Sequence, residues 1–153
     1  MRDVAVIGGG MTMFRRKLKE TGKELSYLAT KMAMEEAGIE KKDIDMVVMG
    51  SAPDAFDGLH MNSEALASGS GGARQPVMRN YVGGGTGIFS PIHGWMHVAS
   101  GKYRTCLVVT EEKMSPTFPH PAGAFITIFD HTTEQPLELT LLHIFAIEMA
   151  RFM

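Results

Sequence analysis

A short apolar run stopped by glycine recurs along this chain, and a helical pattern separates each run from the next. Asp3-Val4-Ala5-Val6-Ile7 stops at Gly8-Gly9-Gly10, Met46-Val47-Val48-Met49 stops at Gly50, and Pro76–Val82 stops at Gly83-Gly84-Gly85-Thr86-Gly87. Thr105-Cys106-Leu107-Val108-Val109-Thr110 is a fourth run. Nearly continuous apolar runs rich in β-branched residues suit strands buried on both faces, as in a parallel sheet. Between the first two runs, Leu25, Leu28, Ala29, Met32, Ala33 and Ala37 fall mostly at three- and four-residue spacings. That spacing predicts a helix from Thr21 or Gly22 to about Ala37 with a core-facing stripe, closed by the left-handed stop Gly38. Asn62–Ala67 reads as a short helix, and Gly69–Arg74 reads as a Gly/Ser linker. Ile88–Ala99 is helical and largely apolar, which predicts a helix buried on most sides, with Pro91 in its first turn and Ser100-Gly101 at its end. Strands alternating with helices predict an α/β fold: a central, mostly parallel sheet with right-handed crossovers and helices on both faces.

The pattern changes after Glu112. Pro116, Pro119, Pro121 and Gly123 interrupt regular structure within a few residues. Ala124–Phe129 reads as a fifth strand or a buried hydrophobic patch, and Leu139–Met153 as a strongly apolar helix without a stop signal. The 153 residues suffice for one domain. A net charge of −2, with no long run of either sign, excludes the basic footprint expected of a partner for nucleic acid or an anionic membrane. No apolar stretch approaches the length that spans a bilayer, and the N-terminus carries no signal-peptide pattern. A single cysteine, Cys106, excludes an intramolecular disulfide and a cysteine-based zinc site, so a cytoplasmic protein is expected.

Several motifs invite chemistry and meet a plainer reading. Gly8-Gly9-Gly10 follows a strand, but the dinucleotide fingerprint needs glycine where Met13 stands, and Gly50-Ser51 replaces the acidic residue expected after the second strand. His93 and His97 lie four apart on a helix, yet Gly94 occupies the position where a zinc protease carries glutamate, so two structural histidines are expected. Cys106 sits within an apolar strand and reads as a buried, inert thiol. Asp54 and Asp57 fit loop capping better than a cation site. His120, between Pro119 and Pro121, is a candidate general acid or base that lacks an identified partner. The turn Gly83–Gly87 has two readings. The helix N-terminus it opens can hold an anion or an oxyanion, and its glycines can also simply permit close strand–helix packing.

Taken together, the segments resemble the N-terminal domain of thiolases. The likeness rests on Val4-Ala5-Val6-Ile7-Gly8, Glu35-Glu36-Ala37-Gly38-Ile39 and Asp43-Ile44-Asp45-Met46-Val47-Val48. It continues in the Gly83–Gly87 turn with its helix to Ala99-Ser100-Gly101, and in Leu107–Thr110 followed by Glu112-Lys113-Met114-Ser115. Gly50–Gly58 and Ala124–Asp130 are similar to archaeal and sterol-carrier-protein-type thiolase-like proteins.

The resemblance implies acyl exchange with coenzyme A at a cysteine that begins the third helix, within a motif Cys-x-Ser/Thr-Gly. Counting back from Gly101 puts that position at Gly84, so Thr86 and Gly87 match the motif and the cysteine is absent; Cys106 matches a central strand position instead. A His and a second Cys come from the family's C-terminal domain. The implied site is therefore Gly84 as a vacant nucleophile position, with Gly85, Thr86, Gly87 and Met114 near the thioester and His120 as a further candidate.

Implied for the protein are acyl-CoA as substrate with no bound cofactor, lipid metabolism, and acyl transfer or carbon–carbon cleavage. The alternatives are a retro-aldol lyase of the same superfamily, a non-catalytic scaffold or acyl-CoA-channelling subunit of a multienzyme complex, and a generic nucleotide-binding α/β domain. A homodimer or tetramer through the third strand, Val77–Val82, is also implied. Residues 1–111 are expected to form an incomplete half-domain that lacks its fifth strand, and residues 112–153 the start of a loop region over the active site.

Overall fold

The computed structural model describes residues 1–15, 17–51, 67–114 and 121–153. The readings of Asn62–Ala67 as a helix, of Asp54 and Asp57, and of His120 fall wholly or mainly outside those residues. Among the described residues three strands form the sheet: β1 (Met46–Gly50), β2 (Val77–Asn80) and β3 (Cys106–Thr110). β1 is central and both pairings are parallel, with Val47 opposite Val77 on one side and Leu107 on the other. The ladders extend past the strands through Asp45 N–H to Thr105 O (3.1 Å) and Glu111 N–H to Gly50 O (3.0 Å). Every residue of β1 is buried, as its unbroken apolar sequence requires. Ile44, Val47, Met49 and Val109 make the core, with Met34, Ile39 and Leu107 packed against it.

Helix α1 spans Gly22–Ala37. Thr21 caps it, accepting from Glu24 N–H at 3.2 Å, while Glu24 Oε2 accepts the Thr21 N–H at 2.7 Å. This reciprocal box satisfies two donors of the open first turn and holds the Glu24 carboxyl below its usual range. Gly38 ends the helix at φ 65°. The buried stripe is rotated from the one read off the sequence. Leu25, Ser26 and Thr30 face inward, and Leu28 and Met32 are exposed. The hydroxyls of Ser26 and Thr30 have no hydrogen-bond partner among the described residues, so the burial is set by where the helix meets β3 rather than by side-chain polarity.

Helix α2 spans Thr86–Ala99 and packs on β3 and β1. It begins two residues before Ile88, which places Pro91 in the second turn instead of the first. A proline there removes the N–H that would have met the carbonyl of Gly87. Gly94 lets α2 approach β3: a side-chain carbon at that position would lie 2.5 Å from Val108 Cγ2.

Further expectations fail. Helix α2 is not buried on most sides, since Ile88, Phe89, Ile92, Trp95 and Met96 are exposed. Asp3–Ile7 joins no strand, although its composition matches β1. β1 pairs directly with β3, and the N-terminal segment lies against α1 instead. Ala124–Phe129 is neither a strand nor a buried patch. Helix α3 (Pro121–Phe125) runs into a 3-10 turn at Ile126–Ile128, and only Ala124 is buried. The Thr127 hydroxyl bonds back to Ala124 O at 2.6 Å, a local bond that favours the turn over extension. Helix α4 (Leu141–Phe152) buries none of its residues, and Leu142, Phe145, Ile147 and Met149 are exposed. No helix among the described residues is long and apolar enough to cross a membrane.

Candidate functional site

The turn between β2 and α2 is braced by hydrogen bonds of Val82, Gly83, Gly85 and Thr86. Gly85 N–H donates to Val82 O at 2.9 Å and Thr86 N–H donates to Gly83 O at 3.2 Å. Gly83 takes φ 49°, a conformation that a side chain would strain. The buried Thr86 hydroxyl accepts the Val82 N–H at 3.0 Å and donates to Gly83 O at 2.7 Å. Below it, Ser90 Oγ donates to Thr86 O at 2.7 Å and accepts from Asn80 Nδ2 at 3.0 Å. Asn80 at the end of β2 and Ser90 in α2 are both buried, so this polar chain locks the strand end to the helix start.

Gly84 sits at the exposed crest of this turn. A side-chain carbon built on it meets nothing within 4 Å, and its backbone is not in the left-handed region. Gly87 is equally open, whereas Gly85 is confined by the Phe89 ring at 3.2 Å. The turn therefore has room for a side chain at 84 pointing away from the fold. Its oxyanion capacity is smaller than four glycines suggest. Of the N–H groups of Gly85, Thr86 and Gly87, the first two already donate within the turn.

Other sequence candidates lie apart from it. Cys106 is half-buried on β3, and burial pushes its thiol up to about 11. Its side chain faces α2, with Sγ 3.5 Å from where a Gly94 side chain would begin. His93 Nδ1 is buried without a hydrogen-bond partner among the described residues, and the His97 ring stacks edge-on against Tyr103 with centroids 5.9 Å apart. Among the described residues no three His, Cys, Asp or Glu side chains gather where they could hold a metal ion. Met114 is exposed just beyond β3. The segment leading to it is tied down by Lys113 Nζ, which donates to Glu20 O, and by Glu111, whose carboxylate packs on Gly22 at the start of α1.

Sequence reasoning missed the Asn80–Ser90–Thr86 chain. Its signal was a polar residue at the end of an apolar strand, with Ser and Thr four apart in the following helix.

Comparison with known proteins gives these features a family. The family model described as "Thiolase, N-terminal domain" matches residues 4–148. The chain is 29% identical over its whole length to the acetyl-CoA acetyltransferase of Methanocaldococcus jannaschii, covering 39% of that protein. It is also 29% identical to the acetyl-CoA acetyltransferase of Methanothermobacter thermautotrophicus, covering 40% of it. The chain thus spans about two fifths of the length of the curated relatives it matches. Among solved structures, 3-oxoacyl-[acyl-carrier-protein] synthase III from Aquifex aeolicus VF5 superposes with a TM-score of 0.57. That match is 16% identical and covers 71% of this chain and 35% of that one, so it speaks to fold alone.

Proposed function

This chain belongs to the thiolase family, and from that premise we propose that it is part of a protein that binds acyl-CoA thioesters at the Gly83–Gly87 turn without forming an acyl-cysteine there. The names of its archaeal relatives support acetyl-CoA or a related thioester as substrate. The observation that carries the reading is the open, ordinary backbone at Gly84, in a turn whose supporting hydrogen bonds are all in place. The residue that would attack a thioester is missing, while the scaffold that would aim it is kept.

Thiolysis in two steps needs a thiolate that attacks the thioester carbon, expels coenzyme A thiolate and carries the acyl group. Glycine supplies neither the nucleophile nor the thioester bond. The chemistry left to this turn is polarisation of a thioester oxygen by the Gly87 N–H at the start of α2, those of Gly85 and Thr86 being engaged within the turn; such polarisation serves carbon–carbon cleavage through an enolate. Thr86 sets the turn that presents that N–H; Gly85, Gly87 and Met114 are the candidates to contact the substrate, and His120 is the candidate to move a proton. Residues 1–111 form the half-domain and residues 112–153 open the covering loop region, in a cytoplasmic protein of lipid metabolism.

A second reading, a non-catalytic scaffold or acyl-CoA-channelling subunit, is favoured by the engagement of the Gly85 and Thr86 N–H groups within the turn. Titration of the full-length protein with acetyl-CoA tests both readings. Micromolar binding together with cleavage of a 3-hydroxyacyl-CoA supports the lyase. Binding without turnover supports the subunit. Tight NADH binding without acyl-CoA binding overturns both.

Self-association is part of this proposal. β2 is an edge of the sheet, and Val77, Met78, Tyr81 and Val82 are exposed beside Ile88, Phe89 and Ile92 of α2. An apolar edge of this kind suits a partner strand from a second copy. Sedimentation of the full-length protein at micromolar concentration is expected to give a dimer or tetramer, and a strict monomer contradicts it.

A further inference from the structure

Ser90 of α2 is fully buried, and Asn80 and Thr86 are only 3% and 7% exposed. The Ser90 hydroxyl fills a niche that the end of β1 leaves for it. A side-chain carbon at Gly50 would collide with Ser90 Oγ and stand 2.9 Å from Thr110 Cγ2. The direction of each hydrogen bond in the chain follows from what its atoms can do. Thr86 O can only accept, so Ser90 directs its single hydroxyl proton there, at 2.7 Å. Toward Asn80 the hydroxyl therefore accepts, and the Asn80 amide presents Nδ2 to it at 3.0 Å.

The last acceptor of this chain belongs to a peptide group at the candidate site. The Thr86 C=O and the Gly87 N–H are the two ends of one planar, resonance-coupled amide. Among the described residues the Gly87 N–H has no hydrogen-bond acceptor. Gly87 is exposed, and a side-chain carbon built on it meets nothing within 4 Å. One amide therefore has its oxygen held in a buried network and its N–H left for a ligand. A donor bound to the oxygen draws electron density from the nitrogen and makes the amide proton a better donor. Such polarisation passes along chains of hydrogen bonds and is strongest where water is excluded.

From this geometry we propose that Asn80 and Ser90 are positioning residues for the thioester oxygen. They form a relay, from Asn80 through Ser90 to the Thr86 C=O, that polarises the Gly87 N–H and holds it in place. The relay strengthens the one donor that the turn leaves free among Gly85, Thr86 and Gly87. It also accounts for two buried polar side chains, which apolar residues could replace if packing alone were at stake. The inference rests on the acyl-CoA reading for the acceptor, and on the hydrogen-bond geometry alone for the relay.

Nuclear magnetic resonance of the full-length protein tests it. Threonine labelled with carbon-13 at the carbonyl and glycine labelled with nitrogen-15 report on the Thr86–Gly87 peptide, and Thr21–Gly22 supplies an internal control. Ser90→Ala is expected to move the Thr86 carbonyl carbon and the Gly87 nitrogen upfield, while the Gly22 and Gly85 nitrogens stay in place. Asn80→Leu, similar in shape, keeps the Ser90–Thr86 bond and removes the group that polarises it. The same shifts are expected there at smaller size, and this variant carries the test if Ser90→Ala does not fold. Acetyl-CoA is expected to bind Ser90→Ala about two- to fourfold more weakly, the effect of losing tens of per cent of one strong hydrogen bond. Thr86 and Gly87 signals that stay put in either folded variant overturn the proposal. So does a Gly85 shift as large as that of Gly87, which would make the chain a structural brace only. Unchanged acetyl-CoA affinity in a variant whose signals move overturns it as well. The expected shifts in a protein that binds no acetyl-CoA would instead overturn the acyl-CoA reading and leave the relay standing.

Discussion

The Gly83–Thr86 turn and strand β3 divide between them what a thiol-dependent site needs in one place. The turn offers an exposed crest, open space for a side chain at Gly84 and a braced helix start, but no thiol. β3 holds the chain's single cysteine, half-buried against α2, with its pKa pushed up to about 11 by desolvation. Reactivity here is set by position: burial in the sheet keeps a thiol protonated, while a crest at a helix N-terminus favours the thiolate.

The largest expected effect is on thiol reactivity. An exposed cysteine of ordinary pKa near 8.5 carries about 300-fold more thiolate at neutral pH than one at 11. In Gly84→Cys, the new thiol is expected to react with a maleimide at least about a hundredfold faster than Cys106. Equal rates would erase the contrast between the two regions.

Next comes the bracing of the turn. Thr86→Val removes a buried hydroxyl that serves both the Val82 N–H and the Gly83 carbonyl. A loss of about 2 kcal/mol is expected in urea unfolding, because both partners are left without it. A change within about 0.5 kcal/mol would mean that the turn does not depend on Thr86.

The β3 side has a smaller lever. Gly94→Ala places a methyl 2.5 Å from Val108 Cγ2, at the seam where α2 covers Cys106. Overpacking of about 1–3 kcal/mol, offset by about 1 kcal/mol of helix propensity, predicts a net loss near 1 kcal/mol and faster labelling of Cys106. The same side also carries a pH dependence, that of Cys106. Its folded pKa is raised from 9.0 to about 11, so its contribution to stability is full below 9 and is lost as pH rises through 11. Unfolding midpoints of the unaltered protein and Cys106→Ala are expected to differ by a constant amount up to pH 9 and to converge above it.

How much of this was legible depends on whether a signal is local. Met46–Gly50 was readable as a strand because its composition and its stop at Gly50 agree with its place between two partners. Asp3–Ile7 carries the same local signal and lies outside the sheet. Composition encodes strand propensity, whereas strand order depends on which neighbours pair, and β1 pairs directly with β3. The stop at Gly38 and the cap at Thr21 were legible for the same local reason, since each is set by residues within one turn. The rotation of the α1 stripe onto Ser26 and Thr30 was not, because it comes from docking on the sheet rather than from periodicity. At the site, the family resemblance assigned the nucleophile position to Gly84 by its distance from Gly101, and the structure adds that a side chain there would meet open space. The hydrogen-bond chain from Asn80 through Ser90 to Thr86, which holds the turn in shape, needed the fold.

The most direct measurement is mass spectrometry of the full-length protein after incubation with acetyl-CoA, with and without Gly84→Cys. The account predicts no acetyl group bound covalently to the unaltered protein, and one acetyl group in the variant, mapped to residue 84. Thioester formation or coenzyme A-dependent thiolysis by the unaltered protein would contradict it. So would a Gly84→Cys protein that folds, binds acetyl-CoA and is never acetylated at that position.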